Sequence, residues 1–175
     1  MTTPTFITEL RAYIGHRPLW LSGVTAYVED ETGHVLLGRR SDTAEWALVS
    51  GIVEPGENPA DTVIREVAEE TGVDVVVDAL ASVSSSSTPV VYPNGDITRY
   101  LDLTFQCHAA PGGRHDARVG DDESLDVGWF DRNELPQPLS RSTTTRMEDI
   151  RRFIRNQQDG DARALFTVDT TANQE

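Results

Sequence analysis

Glu66, Glu69 and Glu70 are the residues whose type and spacing point to chemistry. They close the stretch from Gly51 to Val73, in which Gly51-Ile-Val-Glu-Pro-Gly-Glu57 precedes a helical pattern. At 3.6 residues per turn the three glutamates share one side of that helix. Glu66 and Glu70 are an i,i+4 like-charge pair and Glu66 and Glu69 an i,i+3 pair, each costing a helix about 0.2–0.5 kcal/mol. They also lie towards the helix C-terminus, where the macrodipole disfavours negative charge. A solvated acidic face can absorb those costs. A divalent cation would remove both, and carboxylate oxygens suit magnesium or manganese.

The element that must position them is written in the flanking residues. Asn58 stands where an N-cap belongs, Pro59 suits the first helical position, and Asp61 takes the place of a capping-box acid. Gly72 is a natural stop. The helical repeat puts Ala60, Val63, Ile64, Val67, Ala68 and Thr71 on the opposite, core-facing side.

The whole pattern, G-x5-E-x7-R-E-(apolar)-x-E-E-x-G-(apolar), resembles the signature of the Nudix hydrolases. Gly51, Glu57, Arg65, Glu66, Val67, Glu69, Glu70, Gly72 and Val73 keep every spacing. The match fixes many positions at once, unlike a lone glycine motif. The family's frequent Pro-Gly before the first motif glycine is here Val49-Ser50. The turn Tyr92-Pro-Asn-Gly-Asp96 and the segment Gly15-His-Arg-Pro-Leu19 carry a weaker similarity to the subgroup like ADP-ribose pyrophosphatases.

The resemblance implies an α/β fold, the Nudix α/β/α sandwich with a mixed β-sheet between helices. It implies hydrolysis of a diphosphate linkage by water attack at phosphorus, with Mg2+ or Mn2+. By family correspondence Glu69 and Glu70 are the core metal ligands, with the Gly51 carbonyl as a further one. Glu66 is a ligand or the general base, and Glu57 a supporting ligand or ion-pair partner. Arg65 orients the glutamates. In family members an acid from a loop beyond the box often completes the metal site or acts as base. Glu123 fills that place here, with Asp121 and Asp122 as competitors.

Around the motif, helix patterns are expected over Thr5–Gly15, with a Phe6, Leu10, Tyr13, Ile14 stripe, and over Thr143–Arg155. Leu21–Glu29 and Val35–Arg40 read as a hairpin about an Asp30–Gly33 turn. Strands are expected at Val73–Val77, Leu80–Ser84, Ile97–Ala109 and Leu125–Phe130, and a short helix or turn at Asp131–Leu135. Arg39 and Arg40 leave the sheet towards the glycine loop. Either could meet a substrate phosphate, or serve in a structural ion pair. Trp46 reads as a core anchor or loop clamp, with base stacking the alternative. Arg99, Tyr92 and Tyr100 are candidates for a base pocket. The loop from Ala110 to Ser124 is placed to select substrate, or is a plain surface connection. Its His115 reads as an ordinary loop histidine.

The 175 residues divide into an N-terminal helical extension (1–18), a Nudix hydrolase domain (19–157) and a polar tail (158–175), expected to be disordered from Thr167. The extension packs on the domain or contributes to a homodimer. Net charge is −14, which excludes a broad nucleic-acid-binding surface and leaves a small nucleotide-type substrate bridged by metal. All fifteen basic residues are arginine. The lone Cys107 cannot form an internal disulfide. With no secretory pattern and no long apolar run, the cytoplasm is the expected compartment and no membrane partner is expected. The rival readings are a non-catalytic Nudix-fold nucleotide-binding module, a nucleoside triphosphate hydrolase, an RNA-end pyrophosphohydrolase and an isomerase on a related fold.

Overall fold

A computed structural model describes residues 3–86 and 88–166. In chain order the elements are α1 (Thr5–Ile14), β1 (Leu19–Glu29), β2 (His34–Arg40), β3 (Trp46–Ala47), β4 (Val49–Ile52), α2 (Pro59–Thr71), β5 (Val75–Ser85), β6 (Val90–Val91), β7 (Ile97–Ala109), β8 (Ser124–Asp131), α3 (Arg141–Gln158) and β9 (Leu165–Phe166). Among the described residues the strands form one nine-stranded mixed sheet with the path β3-β2-β1-β7-β5-β9. β4 adds to β1, β8 to β2 and β6 to β7. β1 and β7 run parallel from Leu19↔Thr98 to Glu29↔His108, and most other pairs are antiparallel.

Alternation along β1 sorts the layers, because successive side chains leave opposite faces of a strand. Val24, Ala26 and Val28 meet Val63 and Val67 of α2 on one face. On the other face Tyr27 joins Met147, Ile150 and Phe153 of α3, while Leu21 and Ile52 receive Ile7 of α1. The sheet therefore lies between helices, the α/β/α sandwich that the motif implies. Burying each such aliphatic side chain contributes about 1.5–3 kcal/mol, so the acid-bearing helix is held from beneath.

Several local expectations are corrected. The β1–β2 hairpin pairs at Glu29↔Val35 and then opens. The same edge of β1 is taken from Gly23 to Ala26 by β4, so β2 turns instead to β8, from His34↔Asp131 to Arg40↔Ser124. The two strands expected either side of Asp78 are one, β5, whose register shifts at Val77/Ala79 and Leu80/Ser82 absorb the polar interruption as bulges. In α1 the buried residue is Ile7, whereas Leu10 and Tyr13 are exposed. In α2 Ile64 is exposed and Thr62 is buried. The core face of α2 is thus narrower and rotated towards Thr62, Val63, Val67 and Thr71. α3 begins at Arg141, two residues early, because Ser140 caps it by accepting a hydrogen bond from Thr143 N at 3.2 Å. The tail is not wholly separate, since Leu165–Phe166 pairs with β5 and Leu165 packs on the α3 core. The disorder expected from Thr167 falls outside the described residues. No helix among those described is long and apolar enough to cross a membrane.

Candidate active site

The loop from Gly51 delivers the chain to α2 through Gly56, whose φ of 90° is a left-handed turn that favours glycine. Pro59 begins the helix and Gly72, at φ 71°, ends it. Asn58 occupies the N-cap position, but its amide donates to Asp61 Oδ2 at 2.8 Å and makes no side-chain cap bond. Gly51 is needed for space. A Cβ on it would stand 2.1 Å from Glu66 Cδ, so the Glu66 side chain lies flat on the glycine.

One guanidinium organises three carboxylates. Arg65 donates to both oxygens of Glu57 (Nε to Oε1 2.9 Å, Nη2 to Oε2 3.1 Å), and its Nη1 donates to Glu66 Oε1 at 3.0 Å and Glu69 Oε2 at 3.1 Å. The forked pair is the strong, directional kind. It holds the Glu57 carboxyl down at about 2, chiefly through the Arg65 hydrogen bond.

Glu70 is in the opposite situation. Burial pushes its carboxyl up to about 8, reinforced by the negative charges of Glu66, Glu123 and Asp121 and opposed by Arg40. Burial also raises Glu66, against the pull of Arg65. Glu70 opens onto a cleft of about 60 Å³ whose lining includes Arg40, Ser41, Ser50, Glu123 and Ser124. Arg40 is clamped by Asp42 (Nε to Oδ1 2.8 Å, Nη2 to Oδ2 2.7 Å).

The loop after β7 is not a loose connection. Its backbone docks on the end of α2: Arg118 N donates to Thr71 O and Gly120 N to Glu70 O, each at 2.9 Å. Two carbonyls that a helix end leaves without partners are satisfied this way. The loop then folds on itself through Glu123 N to Asp121 Oδ1 at 2.9 Å, and Ser41 N donates to Glu123 O at 2.8 Å. Glu123 is thereby fixed between the end of β2 and the motif helix. Asp122, by contrast, is exposed.

The family model described as NUDIX domain matches residues 20–154. The chain belongs to the Nudix hydrolase family. It is 31% identical over 132 residues to a MutT-like protein of Streptomyces ambofaciens, covering 75% of this chain and 77% of that one. It is 30% identical over 142 residues to the dihydroneopterin triphosphate diphosphatase of Escherichia coli, covering 76% of this chain and 90% of that one. Among solved structures, the MutT Nudix hydrolase of Burkholderia pseudomallei superposes with a TM-score of 0.60 at 26% identity, over 75% of this chain and 98% of that one.

Within this Nudix hydrolase the structure sorts the expected site residues. Gly51, Arg65, Glu66, Glu69, Glu70 and Glu123 are drawn together around the C-terminal half of α2. Glu57 is engaged through both oxygens by Arg65, the ion-pair alternative of the two given for it. Of the four substrate candidates Arg40 lines the cleft. Arg39 turns its Nε to Ala44 O at 3.1 Å, and Arg99 donates to Ser86 O at 3.3 Å on β7; neither lines the cleft. Trp46 takes the core-anchor reading of the two given for it: it is 9% exposed and packs edge-on to Phe130 at 4.7 Å in the cluster with Met147, Ile150 and Phe153. The position before the glycine is explained by β4, where Val49 is buried under α2 and Ser50 lines the cleft. Sequence reasoning missed the docking of Arg118 and Gly120, for which a glycine in a polar loop was the available signal.

The donor set has the chemistry of a divalent-cation site. It is all oxygen, it crowds negative charge around a half-buried Glu70, and Gly51 leaves room for Glu66 to lie beside it. These features fit a hard cation. Among the described residues no three such side chains are already gathered in ligating geometry, and Arg65 holds Glu66 and Glu69.

Proposed function

We propose that the protein is a metal-dependent pyrophosphohydrolase that cleaves the diphosphate linkage of a nucleoside diphosphate joined to another moiety, by water attack at phosphorus. The single observation that carries this is Glu70, a half-buried acid held among Glu66, Asp121 and Glu123, with Arg40 beside it in the same cleft. Glu66, Glu69 and Glu70, with the Gly51 carbonyl, would hold Mg2+ or Mn2+. An ion bound there would supply a lowered pKa for water and neutralisation of phosphate oxygens. Arg65 orients the glutamates. Glu123 takes the proton from the attacking water, with Glu66 the competing base. Arg40 offers forked donors to a phosphate oxygen once it exchanges Asp42 for substrate. The net charge of −14 favours a small substrate over extended nucleic acid.

A second reading is a nucleoside triphosphate substrate. The E. coli relative, similar over 76% of this chain, bears the name of a triphosphate diphosphatase. A substrate panel decides between them: ADP-ribose, nucleotide sugars, dinucleoside polyphosphates and nucleoside triphosphates with magnesium or manganese, and Glu69→Gln as the blank. Turnover of the diphosphate-linked compounds by wild type, and none by Glu69→Gln at unchanged fold, is the expected result. Normal turnover by Glu69→Gln or Glu70→Gln, with contamination excluded, would overturn the assignment.

A further inference from the structure

The loop that carries Asp121 and Glu123 reaches the motif helix at one residue whose side chain is a hydrogen. A Cβ on Gly120 would lie 1.8 Å from Glu69 O, 2.9 Å from Glu69 C and 3.1 Å from Glu70 C. Those atoms are helix backbone, so they cannot step aside as the end of a side chain can. The constraint is one of space, since Gly120 does not have a positive φ. The neighbours agree. Gly120 N is bonded to Glu70 O, and Arg118 N to Thr71 O, so the loop is fastened to the same turn that bears the acids. The Arg118 side chain lies along Gly72, with its Nε 3.1 Å from the place of a Cβ there. Three residues beyond Gly120, Glu123 lines the cleft with Glu70, while its carbonyl is held by Ser41 N.

We propose that Gly120 is the positioning residue that seats the acid loop on the motif helix, so that Asp121 and Glu123 complete the acid cluster around Glu70. Gly120 touches neither substrate nor metal. It acts by letting two backbones approach within hydrogen-bond distance. Any larger residue lifts the loop from the helix and carries Asp121 and Glu123 away from Glu70, while the sandwich beneath stays intact. This rests on the proposed reading that the acid cluster holds a divalent ion.

The test compares Gly120→Ala with Val119→Ala, an exposed neighbour, in the full chain and well below either melting temperature. Mn2+ affinity is measured by electron paramagnetic resonance, and turnover is followed on the substrate of the panel above. The expected result for Gly120→Ala is Mn2+ affinity down about tenfold, with kcat reduced at least about tenfold and KM within about threefold. Val119→Ala behaves as wild type. Adding Gly120→Ala to Asp121→Asn/Glu123→Gln costs nothing further, because the acids it serves are already gone. Wild-type affinity and turnover in Gly120→Ala, or a loss that adds in full to Asp121→Asn/Glu123→Gln, would overturn the proposal. Should Gly120→Ala not fold, amide hydrogen exchange on the wild type decides. Protection of the Arg118 and Gly120 amides together with the last turn of α2 supports the seat, and exchange at the rate of free loop overturns it. Failure of the underlying reading looks different, since wild type would then show no metal-dependent turnover at all.

Discussion

Arg65 and Glu57 form a two-point pair across the start of the motif helix, Nε to Oε1 at 2.9 Å and Nη2 to Oε2 at 3.1 Å. Glu57 does not line the cleft, yet it fixes the plane of the guanidinium that grips Glu66 and Glu69. Glu57→Gln is expected to lower kcat while leaving melting nearly unchanged. Losing a partner that orients metal-ligating groups typically costs about ten- to a hundredfold in metal affinity or activity. Arg65→Lys should do the same, because an ammonium cannot reproduce the fork. Steady-state kinetics and a thermal melt on both variants check this. A fall in melting temperature with unchanged kcat would refute the orienting role.

Glu70 sets a pH dependence in the metal-free protein. Its folded carboxyl sits at about 8, above the ordinary 4.5. A raised acid favours the protonated form in the fold, so its stabilising share is full below the unfolded value. That share is lost as pH rises from about 4.5 to 8. The metal-free protein should therefore melt higher at pH 5.5 than at pH 8.5 as far as this residue is concerned. Glu70→Gln should remove that difference and raise the pH 8.5 melt by a few degrees. Divalent ions should reverse the sign by favouring the carboxylate, and their binding at pH 7 should release protons. Calorimetry in buffers of different ionisation enthalpy counts them.

Gly51 gives a third prediction. The atoms that a Cβ would strike belong to the Glu66 side chain, with Cδ at 2.1 Å and Cγ at 2.3 Å, and not to backbone. Gly51→Ala should therefore fold, with Glu66 swung off the loop. kcat should fall about tenfold or more, while the melting temperature drops by less than about 4 °C, the shift of about 1 kcal/mol in a domain of this size. Combining it with Glu66→Gln should add little, since both remove one carboxylate from one place.

What could be read in the sequence follows from the range of the forces involved. The motif helix was legible because Pro59, Gly72 and the acid spacing act locally, within a turn or two. The layer order follows from the family resemblance that this motif carries, and not from the patterning of the strands. Asn58 takes the N-cap position as its type and place imply, but its Nδ2 donates to Asp61 Oδ2 and its side chain makes no cap bond. The β1–β2 hairpin was read too long because β4, brought back from beyond a loop, claims the same strand edge. The seat of Gly120 on Glu70 joins residues fifty apart, and no local propensity encodes it. Glu123 was found through family correspondence, and its placement depends on that seat.

The core-anchor reading of Trp46 can be measured. Its ring packs at 4.7 Å and 70° to Phe130, in a cluster with Leu37, Met147 and Phe153, beneath the strand that leads to the motif loop. Its backbone N donates to Pro138 O at 2.8 Å, joining β3 to the segment before α3. Shortening the ring leaves a gap in a core that holds the loop from behind. Trp46→Leu is expected to cost about 2–4 kcal/mol in urea unfolding, with KM for the nucleotide substrate within about twofold of wild type. A stacking role would show the reverse pattern, a raised KM at little cost in stability, and would return Trp46 to the substrate side.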